Sequence, residues 1–82
     1  MQTILRINGF RFFFYSNEGN EPPHIHVVGH GGEMKIWLNP IEVSNIYGMN
    51  AKDQREVLKI TQDNVKMFLD KWMVYRGNSE KN

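Results

Sequence analysis

Apolar residues in the first half of the chain alternate with polar ones at the two-residue period of strands. In the last third they return every three or four residues, the period of a helix. Ile4 to Asn8 and Phe10 to Ser16 are rich in β-branched and aromatic residues and meet at Gly9, which predicts two short strands or one strand bent at the glycine. The polar stretch 17–23, Asn-Glu-Gly-Asn-Glu-Pro-Pro, reads as a loop that ends before the next strand, because proline has no N–H for a ladder. His24 to His30 and Glu33 to Leu38 flank Gly31-Gly32, a dipeptide suited to a hairpin turn with positive φ at both centres. Asn39-Pro40 marks another turn, and the segment Glu42 to Tyr47 fits either a fifth strand or a short helical turn.

The helix has better-defined ends. Asn50-Ala51-Lys52-Asp53 has the form of a capping box, with an Asn side chain placed to accept from the amide three residues on. Leu58, Thr61, Val65, Phe68, Trp72 and Tyr75 follow at helical spacing, Leu69 widens the stripe, and Gly77 is placed to terminate it. Such a stripe is what a helix laid across a sheet needs. The expected fold class is therefore α+β, a mostly antiparallel sheet of four to five strands with one long C-terminal helix packed on one face. It forms a single domain over residues 1–82, with strands within about 4–47, a helix over about 51–76 and a disordered tail at 78–82.

With Gly31-Gly32 as the turn, His30 faces Glu33, Val28 faces Lys35 and His26 faces Trp37 on one side, while Val27 faces Ile36 and Ile25 faces Leu38 on the other. Ile25, Val27, Met34, Ile36 and Leu38, joined by Phe10, Phe12 and Phe14, make the core side. The second side then carries Arg11, Phe13, Tyr15, His24, His26, His30, Lys35 and Trp37. A single helix covers only one face, so this mixture of cations, imidazoles and aromatic rings is expected to lie open as a binding surface.

Composition narrows the possible functions. A chain of 82 residues with 40% hydrophobic content can bury one modest core and no second domain. With no cysteine there is neither a disulfide framework nor a thiolate metal site, which fits a reducing, cytoplasmic setting. No run approaches the roughly 20 apolar residues of a membrane span, and the N-terminal stretch is not a signal peptide. The formal net charge of +1 means that any nucleic-acid contact must come from a local patch.

Three chemistries can use His24 and His26, which as residues i and i+2 of a strand project on one side about 6.6 Å apart. Two imidazoles can share a divalent ion, with Glu18 or Glu21 as the candidate third ligand, and that ion is the one cofactor these residues suggest. The same pair can act as general base and general acid on an RNA phosphodiester. Arg11 and Lys35 would then steady the developing charge, while Tyr15, Phe13 and Trp37 stack bases. Alternatively the face binds a protein partner or a second copy, with Trp37, Tyr15 and Arg11 of the types that anchor interfaces and His26 as a packing residue.

The segment from Arg11 through Pro22-Pro23-His24-Ile25-His26-Val27, followed by Glu33-Met34-Lys35-Ile36-Trp37-Leu38-Asn39-Pro40, closely resembles the bacterial family labelled domain of unknown function four-one-six-zero. The resemblance covers nearly the whole chain, and the Pro-Pro-His-x-His-Val stretch is its most specific mark. The helix opening at Asn50-Ala51 and ending near Trp72 agrees with the family's C-terminal helix. Met34 and Ile36 depart from the smaller or aromatic residues expected there, a difference of packing. The resemblance implies a small bacterial protein encoded beside another small protein, in an arrangement like a toxin–antitoxin pair. It thus implies an antitoxin-like partner, and it carries no established reaction or catalytic residues. The combined expectation is a toxin-like domain acting on RNA, with His24 and His26 as the proton-transfer pair and Arg11, Tyr15, Lys35 and Trp37 as the substrate or partner surface. A protein-interaction module or homodimer is the first alternative, and a His-x-His metal-binding protein the second.

Overall fold

A computed structural model describes residues 1–15 and 20–80 of the chain, with the side chains of 77–80 outside the description. The strands are β1 (Gln2–Ile7), β2 (Phe10–Phe14), β3 (His24–Gly29), β4 (Gly32–Leu38) and β5 (Ile41–Tyr47), and they are followed by the helices α1 (Ala51–Asp63) and α2 (Val65–Glu80). The five strands pair in chain order as one antiparallel meander. The architecture is α+β, as the two periodicities predict, and the segment open to two readings is strand β5.

Gly9 divides two strands. Asn8 and Gly9 adopt φ of 54° and 83°, the left-handed pair of a two-residue hairpin turn whose twist suits the flanking strands. The β3–β4 turn has the same form but is centred on His30 and Gly31, with φ of 52° and 83°, and not on Gly31-Gly32. Gly29 pairs with Gly32 and His24 with Trp37, so each partner moves by two residues from the expected register. A two-residue shift preserves the side on which every side chain lies. Gly32 opens β4 instead, because a Cβ there would lie 2.7 Å from the backbone of Gly48 and Met49. The Asn39-Pro40 turn contains a cis peptide bond.

Phe10, Phe12, Phe14, Ile25, Val27, Met34, Ile36 and Leu38 are all buried, the apolar side read from alternation. They pack against Val57, Ile60, Phe68 and Trp72 of the helices, so both helices lie on this side. Asn50 caps α1 by accepting from the Asp53 amide at 2.8 Å. The expected single helix is two, broken at Asn64, whose φ of −119° leaves the helical region. There the Asn64 side-chain amide donates to the Ile60 carbonyl at 2.8 Å, and its backbone N–H is shared between Ile60 and Thr61. That local competition for carbonyls is why Asn weakens a helix interior. Gly77 does not stop α2, which continues to Glu80, since a glycine costs a helix only about 1 kcal/mol and removes no hydrogen bond. Of the tail expected at 78–82, residues 78–80 are therefore helical and 81–82 lie outside the described residues. No helix among the described residues is long and apolar enough to cross a membrane.

Candidate functional site

Strand pairing sets the face opposite the helices in rows that run across the sheet. One row is Arg6, Arg11, Val28, Glu33 and Tyr47, each paired with the next across adjacent strands. The next row is Thr3, Phe13, His26, Lys35 and Asn45, and a third contains His24, Trp37 and Glu42. The middle of this face is concave, a hollow of about 410 Å³ whose lining includes Phe13, Tyr15, His26, Lys35, Asn45 and Tyr47.

The rings and cations form a connected layer. The Arg11 guanidinium lies 4.8 Å from the Phe13 ring centre. Phe13 stacks on His26 at 5.7 Å, and Tyr15 meets His26 edge-on at 4.5 Å. Those neighbours leave Phe13 only 2% exposed, although it projects from the uncovered side. Lys35 lies 4.6 Å over Trp37 and pairs with Glu21 at 3.0 Å. Tyr15 is tied to the helices through its carbonyl, which accepts from the Tyr75 hydroxyl at 2.9 Å. Arg11, Tyr15, His26, Lys35 and Trp37 are thus brought together as expected. Asn45, Tyr47, Val28 and Glu33 belong to the face as well, and the alternation of β5 would have supplied the first two had that segment been assigned as a strand.

Two histidines differ from expectation. His24 belongs to the same strand side as His26 but is 0% exposed, enclosed at the sheet end by Trp37 at 5.4 Å, His26 at 5.1 Å and the helix residue Trp72 at 4.9 Å. Its Nδ1 lies 2.9 Å from the Pro22 carbonyl, which can only accept, so that nitrogen carries the hydrogen. Its Nε2 is 3.6 Å from the Glu21 carboxylate. The ring is therefore roofed by residues 21–22 and by Trp72, and it is not displayed on an open surface. The cause is its place at the first residue of β3, where the sheet ends and a side chain can be reached from both layers.

His30 leaves the face altogether. As a turn residue with positive φ it stacks on Phe10 at 4.3 Å, contacts the Asn8 carbonyl through Nε2 at 3.0 Å and approaches Asp53 of α1 through Nδ1 at 3.2 Å. Both partners are acceptors, so in each contact it is the ring nitrogen that donates. His30 thereby clasps the β1–β2 turn and the start of α1.

For a metal, the described residues contain no group of three or more His, Cys, Asp and Glu side chains arranged to hold one. Of the two candidate third ligands, Glu21 pairs with Lys35, and Glu18 lies outside the described residues.

The pattern of the family described as Domain of unknown function (DUF4160) matches residues 9–73. The chain belongs to that family. The matched span of this DUF4160 member runs from the first hairpin turn to one residue past Trp72 and includes what β2 to β5 contribute to all three rows. No curated protein and no solved structure matches the chain.

Proposed function

We propose that this DUF4160 member is a protein-binding domain and that a partner chain sits on the sheet face opposite the helices. The observation that carries this reading is the charge balance of a concave, ring-lined face. Arg6, Arg11 and Lys35 are matched there by Glu33, Glu42 and Glu21, and Lys35 is already paired with Glu21. A polyanion would meet as many carboxylates as cations, whereas a protein surface can complement both signs. Tyr47 at 75% and Tyr15 at 45% exposure are of the aromatic type that anchors protein interfaces. The family resemblance adds a candidate partner, the small protein encoded beside family members. Co-purification of the two products tests the reading. Tyr47→Glu and Lys35→Glu should release the partner, while Met73→Glu on the helix side should retain it; retention in all three would end the proposal.

A toxin-like RNA nuclease is the second reading, favoured by the position of His26 in the hollow beside Lys35, its cross-strand partner, with His24 at 5.1 Å. In that reading His26 meets the substrate, and His24 acts only if the Glu21–Pro22 cover opens. Induced expression in a bacterial host, with total RNA followed over time, tests it. Cleavage by the native chain that His26→Ala abolishes at equal protein level supports the nuclease, and intact RNA from both removes it.

A further inference from the structure

The row Arg6, Arg11, Val28, Glu33, Tyr47 reads differently when it is laid on itself. From one sheet edge to the other its chemistry runs cation, cation, apolar, anion, aromatic, with Val28 on the central strand. A two-fold axis lying between two such faces and parallel to the strands places β1 of one copy over β5 of the other and keeps each row over its own counterpart. Arg11 then meets Glu33, Arg6 meets the exposed ring of Tyr47, and Val28 faces Val28 across the hollow that it lines. In the neighbouring row Thr3 comes over Asn45 and His26 over His26, while Phe13, 2% exposed against Arg11, Tyr15 and His26 of its own chain, adds no contact. Among the described residues neither Arg6 nor Glu33 forms an ion pair within its own chain. Turning the axis across the strands instead carries Arg11 towards the row of His24, Trp37 and Glu42 at the opposite end of the sheet, and the reciprocal Arg11–Glu33 match is lost.

From this self-complementarity, and resting on the protein-binding reading, we infer that in the absence of another partner the sheet face takes a second copy of this chain. The two copies pack face to face about an axis parallel to the strands, with Arg11 of each paired to Glu33 of the other. Five strands about 4.8 Å apart and three rows about 6.8 Å apart give a face on the order of 400–500 Å² per copy. Two such faces reach only the low end of specific interfaces, so the dimer is weak, concentration-dependent and sensitive to salt. The centre of each face is the hollow lined by Val28 and His26, so the two copies touch mainly at the flanking pairs, and the reciprocal charge pairs set orientation more than affinity.

Sedimentation velocity on the full chain from about 10 µM to about 1 mM, in low and high salt, reads the association over the dissociation constants of a weak complex. The native chain should pass from monomer to dimer across that range. Arg11→Glu and Glu33→Arg, each alone, should weaken self-association at least tenfold, because each brings like charges together at both symmetric positions. Mixed in equal amounts, the two variants restore both opposite-charge pairs and should form a mixed dimer, while Lys66→Glu on the helix side should behave as the native chain. Far-ultraviolet circular dichroism confirms that each variant is folded; should one fail to fold, Arg6→Glu tested against Tyr47→Lys replaces the pair. A dimer indifferent to both reversals, or no recovery on mixing, overturns the assigned geometry. A native chain that stays monomeric throughout overturns the second copy. If the protein encoded beside it is still released by Tyr47→Glu, the protein-binding reading survives that result, and if no face variant alters any association, both fall.

Discussion

The rings of His24 and Trp72 lie 4.9 Å apart, so the residue that opens the central strand touches the same helical tryptophan that packs on Phe14 at 5.2 Å. One strand therefore contributes an enclosed histidine that belongs to the core and, two residues on, a half-buried histidine that belongs to the surface.

The two should respond differently to truncation. His24→Ala removes a fully buried ring and leaves a cavity among Trp37, His26 and Trp72, and a loss of about 2–4 kcal/mol is expected. His26→Ala trims a partly exposed ring stacked on Phe13 and should cost roughly 1 kcal/mol. Urea denaturation followed by tryptophan fluorescence measures both, and equal losses would contradict the difference in burial. For this reason His26→Ala alone is the cleaner probe of activity; a double histidine variant would confound chemistry with unfolding.

The clasp made by His30 predicts a hierarchy. His30→Ala loses the contacts with Asn8, Asp53 and Phe10 and puts a poorly suited residue at positive φ, so destabilisation of roughly 2 kcal/mol is expected. His30→Gly loses the same contacts without the backbone strain and should fall between the native chain and His30→Ala. Thermal unfolding midpoints give the order, and a Gly variant less stable than the Ala variant would show that the strain relieved is smaller than the unfolded-state entropy that glycine adds.

Gly9 couples to the same ring. A Cβ at Gly9 would sit 2.6 Å from His30 Nε2, and the backbone φ is 83°. Gly9→Ala should therefore cost on the order of 2 kcal/mol from strain and steric displacement together. In the His30→Ala background the steric part disappears, and a double-mutant cycle should show the two changes to be less than additive. Strict additivity would mean that the ring simply moves aside.

At the entrance to α1, Asn50→Ala removes the acceptor for the Asp53 amide, and about 1 kcal/mol should be lost. Because Asp53 also faces His30, the loss should be smaller once His30 is Ala, again readable by chemical denaturation.

Local order decided what was legible in the chain. Alternation in Phe10–Phe14 and Ile25–Leu38 identified every buried apolar strand residue that faces the helices, because a two-residue period assigns sides without knowledge of any partner. The Asn50 cap was equally readable, since its acceptor lies three residues away. The hairpin position was not: Gly31-Gly32 has the better turn composition, yet the turn is held one residue earlier by His30 contacts with Asn8, Phe10 and Asp53, all distant in sequence. The break at Asn64 interrupted a stripe that periodicity alone carries through.

By itself the sequence determined the fold class, the side on which the residues of β2, β3 and β4 lie and the family, because these follow from periodicity and from contiguous motifs. Only the tertiary structure decided which histidines are displayed. The enclosure of His24 depends on Trp72 meeting the end of β3, and the removal of His30 depends on two turns and a helix start converging. Burial is a property of what packs against a side chain, and for both residues that neighbour comes from elsewhere in the chain.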